Sequence, residues 1–272
     1  MQPFSIAPKE MAFSLWRNRN LVASLVKREV VGRYRGSVMG ILWSFLHPIF
    51  MLAVYTFVFS VVFKARWNVE SESKTEFAVV LFAGLMVFNL FSECINRAPN
   101  LIQSNVNYVK KVIFPLEVLP WVAMGSSIFH GFISLTVWFI FYLIYIGPPH
   151  LNALLFPLIL LPLILLTMGL SWLLASLGVY LRDIAQITGI LTTTLLFLSP
   201  IFYPVSSLPP DYRSLLLLNP LSAVIEQARD VLIWNKLPDW HYYSLSLLAS
   251  GTIAWLGFAW FQKTRKGFAD VL

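Results

Sequence analysis

The sequence predicts an all-α integral membrane protein: six transmembrane helices, an amphipathic N-terminal helix at the membrane interface, and short re-entrant helices on the outer side between spans 5 and 6. Three observations predict it. Hydrophobic residues make up 58% of the 272-residue chain and charged residues only 12%, whereas a soluble domain is about half apolar and a quarter charged. The mean hydropathy is +0.72. The apolar residues gather in runs of ~20 or more, which at ~1.5 Å per residue cross ~30 Å of hydrocarbon. None of these runs alternates with the period of two that a spanning strand barrel needs.

Residues 1–38 are expected to form a cytoplasmic N-terminus, with a helix over 9–38 lying in the interface. Leu15, Leu21, Val22, Leu25, Val26 and Val30 can face the acyl boundary while Arg17, Lys27 and Arg28 face water and anionic headgroups. Together with Arg19 these cations break any early apolar core, so no cleavable signal peptide is expected. Gly32, Gly36 and Gly40 recur every four residues. On a helix they share one face, where a second backbone can approach closely. Arg33 and Arg35 lie between them. They read either as positive-inside anchors or as contacts to a phosphate on a lipid substrate.

The transmembrane domain is expected over 39–262, with spans at about 39–63, 77–95, 116–146, 152–179, 184–203 and 242–261, followed by a tail at 263–272. The stretch Leu215–Trp234 is also largely apolar, but Asn219-Pro220 breaks it. Glu226, Arg229 and Asp230 would be costly at mid-membrane. It therefore reads as two short helical pieces, within about 211–234, that dip into the outer leaflet and return. Glu226 and Arg229, three apart, can pair on one helix face. A turn-rich loop, Tyr203–Tyr212, precedes them.

Basic residues orient the chain. Fourteen of the 20 lysines and arginines fall in the N-terminus, the second and fourth connections and the tail, against six in the odd-side loops and the helices there. That asymmetry puts both termini in the cytoplasm. The net charge of +7 flanks apolar runs, which favours a membrane surface over nucleic acid. The lone Cys94 excludes an intrachain disulfide.

Three intramembrane stripes point to a lumen, each of which could equally be ordinary interhelical packing. They are Trp43, His47, Met51 and Tyr55 in the first span; Ser127, His130, Ser134 and Trp138 in the third; and Gln186, Gly189, Thr193, Phe197 and Pro200 in the fifth. Aromatic faces suit sugars, which present apolar C–H patches and hydroxyl edges. The loop after the second span follows Glu93 and Arg97, an expected internal i,i+4 pair. Its centre, QSNVNYVKK, reads as a simple loop with interface anchors or as a docking helix for a cytoplasmic partner.

The sequence contains no G-x-x-x-x-G-K-[ST] loop, no C-x-x-C or H-E-x-x-H spacing and no G-x-S-x-G elbow. Neither catalytic nor metal-ligating residues can be assigned, and if the chain pumps a substrate, another subunit is expected to supply the work. Asp183 and Glu117 are the acids nearest the cytoplasmic span ends, and both sit where a carboxylate favours a helix start. A membrane enzyme acting on a lipid-linked sugar is the weaker reading for that reason. A proton-coupled carrier would need an acid at mid-membrane.

The segments REVVGRYRGSVMGILWSFLHP, NYVKKVIFPLEVLP, LGVYLRDIAQITGILTTTLLFLSPIFYPVSSLP and LNPLSAVIEQARDVL resemble, in order and spacing, type-2 ABC exporter permeases of the polysaccharide-export family. The likeness is greatest to O-antigen (lipopolysaccharide) permeases; capsule and teichoic-acid exporters share most of it. The resemblance implies a homodimer in the bacterial inner membrane, bound to two copies of a nucleotide-binding ATPase subunit that hold ATP and Mg. The substrate it implies is an undecaprenyl-diphosphate-linked polysaccharide. It implies a coupling helix at about 103–110, with Gln103, Asn105, Asn107, Tyr108 and Lys110 meeting the ATPase, and gate helices around Leu215–Trp234. Arg33 and Arg35 become diphosphate contacts, and Trp43, His47, Tyr55, Gln186, Thr193 and Phe197 become channel lining. An ABC permease for a small lipid or drug is the alternative.

Overall fold

The computed structural model describes residues 5–62, 67, 74–110 and 114–272. The expected end of the first span at Phe63, the loop cations Lys64 and Arg66, and Lys111 lie outside the described residues. Every regular element among the described residues is helical: α1 (Pro8–Arg17), α2 (Arg19–Tyr34), α3 (Trp43–Tyr55), α4 (Lys74–Arg97), α5 (Val106–Val109), α6 (Leu119–Tyr145), α7 (Phe156–Tyr180), α8 (Ile184–Leu198), α9 (Pro210–Leu218), α10 (Pro220–Leu232), α11 (Trp240–Thr264) and α12 (Phe268–Val271), with short 3-10 turns between several of them.

Five helical segments are long and apolar enough to cross a membrane: Gly40–Phe59, Thr75–Asn100, Leu116–Tyr145, Leu151–Tyr180 and Trp240–Val271. The first combines a 3-10 turn, α3 and a π-helical continuation over Thr56–Val62. The expected span at 184–203 is shorter than its apolar run. Helix α8 stops at Leu198, so its 15 residues reach only about 22 Å. The chain then runs through Ser199-Pro200, and proline disfavours helix at the residue before it.

Helix α4 is the central element. Almost every side chain from Phe77 to Phe88 is buried, because α6, α7, α8 and α10 pack around it. Helix α11 lies against α7. Helix α3 is peripheral and presents Phe45, Ile49, Phe50 and Val54 outward. Ser14 of α1, Glu117 before α6 and Arg265 after α11 meet at one end of the bundle, called here the base. The first and last helices therefore begin and finish at the same end.

Two N-terminal expectations change. The helix over 9–38 is two helices, interrupted at Asn18 and finished at Tyr34. Its apolar side does not face outward. Val22 and Leu25 pack with Val118 and Val122 at the start of α6, joined by Leu15, Leu21 and Val26, so protein covers that face. The three glycines share no helical ridge. Only Gly32 lies within an α-helix, Gly36 (φ 84°) and Gly40 (φ 53°), the latter opening a 3-10 turn, have left-handed backbone, and nothing lies within 4 Å of a Cβ built at any of them. Their four-residue spacing serves the turn from α2 into α3, where glycine alone is unstrained.

The break at Asn219-Pro220 is observed. Asn219 caps α10 by accepting from the Leu221 amide at 3.0 Å, and its Nδ2 donates to Ser199 Oγ at 2.9 Å. Helix α9 is short, whereas α10 is buried along most of its length.

Candidate functional site

A cavity of about 560 Å³ opens between α3, α4 and α6, closed on one side by the end of α2. The chain builds it from two kinds of wall. One is aromatic and apolar: Trp43, Pro48, Met51 and Tyr55 from α3, Phe82 and Phe88 from α4, and Leu196 from α8. On α3 Trp43, His47, Met51 and Tyr55 recur every four residues, so one face of that helix supplies its part of the wall. The other is polar: Asn89, Ser92 and Glu93 from α4, and Ser127, His130 and Ser134 from α6. Arg33 and Tyr34 stand where α2 ends.

The polar wall is organised by ion pairs between helices. Arg33 Nη2 lies 2.6 Å from Glu93 Oε1, and His130 Nδ1 lies 3.1 Å from the same oxygen. Tyr34 Oη is 3.2 Å from His130 Nε2. One turn further along α4, Arg97 pairs with Glu29 of α2 at 2.5 Å. The expected Glu93–Arg97 pair is therefore replaced. Helix α4 is enclosed by neighbours, so each side chain meets a partner on another helix. The cavity is an aromatic trough with the Arg33 guanidinium at one margin. It can hold a ring with both apolar faces and hydroxyls, and it can meet an anion at Arg33.

The sequence-derived candidates divide. Arg33, Trp43, His47 and Tyr55 line one cavity, with Ser127, His130 and Ser134 opposite. Trp138 is not part of it. It is buried, and its Nε1 donates to the Val79 carbonyl at 3.1 Å. Arg35 is exposed beyond the end of α2, away from the cavity lining. Gln186, Thr193 and Phe197 are exposed on the opposite side of α8 from Thr188 and Thr192, which are buried. Thr192 donates to Asn96 Oδ1 at 2.8 Å. The third stripe thus faces away from this cavity.

Residues 103–110 form a 3-10 turn and the one-turn α5, hung from the base by specific contacts. Gln103 Nε2 donates to the Gly178 carbonyl at 2.5 Å and Asn105 Nδ2 to the Leu101 carbonyl at 2.8 Å. Tyr108 accepts from Arg28 at 2.6 Å and stacks on Phe114 with centroids 4.2 Å apart. Asn107 and Lys110 point outward.

Sequence reasoning missed two polar hubs. Glu117 is buried, accepting from Arg265 at 2.5 Å and Ser14 at 3.2 Å. Arg229 does more than pair with Glu226 at 2.8 Å. It donates to the carbonyls of Val80, Pro200 and Ile201 and lies over the Trp67 ring at 4.2 Å. It thereby ties α10 to α4 and to the chain that leaves α8. An arginine inside an apolar helical stretch was the available signal.

Comparison with known proteins adds the family context. The profile of the ABC-2 type transporter family matches residues 20–233. The O-antigen export system permease protein RfbA of Myxococcus xanthus is 31% identical over 258 residues, covering 94% of this chain and 96% of that protein. A protein of the same name from Klebsiella pneumoniae is 24% identical over 264 residues, covering 97% and 99%. The polysialic acid transport protein KpsM of Escherichia coli is 26% identical over 242 residues, covering 86% and 89%.

Proposed function

This chain belongs to the ABC-2 type transporter family, and from that premise we propose that it is the membrane subunit of an exporter for O-antigen polysaccharide carried on undecaprenyl diphosphate. The observation that carries the reading is the likeness to O-antigen export permeases across almost the whole of both chains. The cavity supports it chemically, since its aromatic wall suits a sugar and Arg33 at its margin suits a phosphoryl group.

In this reading the chain crosses the inner membrane six times within 39–262, with α8 and the residues after it completing the fifth crossing. Residues 1–38 and 263–272 are cytoplasmic, and α9 and α10 are the outer-side gate helices. The excess of basic residues at the base supports that orientation. Two copies form the conduit, and the outward stripe of Gln186, Thr193 and Phe197 would line the passage between them. Two ATPase subunits, binding ATP and Mg, would dock on the turn at 103–110. Export of an acidic capsule polymer is a second reading, favoured by the likeness to KpsM.

The test is deletion of the gene followed by lectin labelling of long glycan before and after cell permeabilisation. Glycan should become detectable only after permeabilisation, and expression of the chain should restore surface labelling. Surface glycan at wild-type level in the deletion strain defeats the proposal.

A further inference from the structure

The cation to which the proposed function assigns the diphosphate already has an anion beside it. Glu93 Oε1 is 2.6 Å from Arg33 Nη2, and the Arg33 side chain is 41% exposed against 21% for Glu93. An arriving anion therefore reaches Arg33 first and competes with Glu93 for it. Glu93 can survive that exchange because it holds a second partner on a different helix, His130 Nδ1 at 3.1 Å. With the proton on Nδ1, His130 donates to Glu93 and Nε2 accepts from Tyr34 Oη at 3.2 Å; Arg33 Nη1 lies against the same ring, 3.0 Å from Nδ1 and 3.3 Å from Nε2, so its withdrawal also removes a donor facing the Nδ1 proton. Release of Arg33 then leaves the carboxylate hydrogen-bonded rather than stranded.

We propose that Glu93 is the resident counter-ion of the Arg33 seat and sets the net charge an anion needs to occupy it, admitting a diphosphate and rejecting the singly anionic headgroups of bulk phospholipids such as phosphatidylglycerol. The proposal rests on the reading of Arg33 as the diphosphate contact. A phosphodiester carries one negative charge, as Glu93 does. Exchanging one for the other gains no charge and removes one of the two partners of Glu93. A diphosphate brings at least two charges and two phosphoryl groups to a guanidinium fork, so it compensates the lost pair. Bulk phospholipid surrounds any such site, and a built-in competitor is a means of excluding it.

The experiment measures the Kd of undecaprenyl diphosphate for the full chain, purified with its partner subunit, in nanodiscs of phosphatidylcholine alone or with phosphatidylglycerol added. The wild-type Kd should be nearly the same in both. Glu93→Gln keeps the shape and frees Arg33, so binding in phosphatidylcholine should tighten by about tenfold, one charge-assisted bond's worth, and phosphatidylglycerol should abolish that gain. A Glu93→Gln protein as insensitive to phosphatidylglycerol as wild type overturns the proposal. His130→Phe supplies an opposite sign. It removes the fallback partner of Glu93, so diphosphate binding should weaken in both lipids, and unchanged binding overturns the proposal. Arg33→Ala separates the two levels: binding unaffected by that change defeats the Arg33 reading itself. Arg33-dependent binding with no phosphatidylglycerol response in Glu93→Gln defeats only the filter.

Discussion

Glu117 carries a buried charge whose partners come from the two ends of the chain. Its side chain is 7% exposed and that of Arg265 is 10% exposed. Desolvating both is costly, and their mutual attraction offsets that cost only while both remain. Glu117→Met should therefore destabilise by about 3–5 kcal/mol by stranding Arg265. The double variant Glu117→Met with Arg265→Met should recover much of that loss. Thermal unfolding of the wild type, Glu117→Met, Arg265→Met and the double variant in one detergent checks it, and additive losses would count against a coupled pair. The lesson for reading side chains from sequence is specific. The spacing of Glu226 and Arg229 gave their contact, because one helix contains both. The same logic misassigned Glu93 and Arg97, whose partners Arg33, His130 and Glu29 come from helices distant in sequence. Local spacing reports what a side chain can reach, and on an enclosed helix several neighbours compete for it.

At the scale of elements, close helix packing lies where glycine spacing in the sequence does not advertise it. A Cβ at Gly169 of α7 would lie 2.5 Å from the Ile253 carbonyl oxygen of α11, and one at Gly257 would overlap the Gly169 carbonyl. The two backbones touch there, as small residues permit in membranes. Gly257→Leu should thus unfold the protein at markedly lower temperature than Gly257→Ala. Gly36 behaves differently, since φ of 84° and open space surround it. Gly36→Ala should cost about 1–2 kcal/mol for the left-handed backbone, and Gly36→Leu no more than that. A steep dependence on side-chain size at position 36 would contradict the turn assignment. The break at Asn219-Pro220 was legible because proline and a capping asparagine act locally. The glycine turn was not, because a repeat of four does not distinguish a ridge from a turn. The contacts of α5 also sort the docking candidates: Gln103, Asn105 and Tyr108 are engaged within the chain, which leaves Asn107 and Lys110 outward. Lys110→Glu should lower co-purification of the ATPase subunit while leaving the melting temperature unchanged, and Tyr108→Ala should lower both.

For the whole molecule, the number of crossings decides which side every loop occupies, and the proposed even number agrees with the meeting of Ser14, Glu117 and Arg265 at the base. Five segments suffice by length; the proposed sixth crossing would have to come from α8, whose 15 residues are short for ~30 Å of hydrocarbon. Arg229 bears on that shortfall. It binds the Pro200 and Ile201 carbonyls and the Val80 carbonyl at once, so the non-helical chain after α8 is held beside the first turns of α4 with those two carbonyls satisfied. Composition made the apolar runs legible, and the basic asymmetry supplies the orientation proposed for them. The manner in which a short helix is extended depends on an arginine from another element and was not legible. Replacing Cys94, the single cysteine, by serine gives a background for placing one cysteine at Lys9, at Leu151 or at Lys266, all exposed. In intact cells a membrane-impermeant maleimide should label only position 151, and all three should react after permeabilisation. Labelling at 266 but not at 9 would mean an odd number of crossings, with α8 returning to the side it started from. The gate helices would then lie in the cytoplasm, where neither the buried Arg229 hub nor the proposed direction of export could be retained.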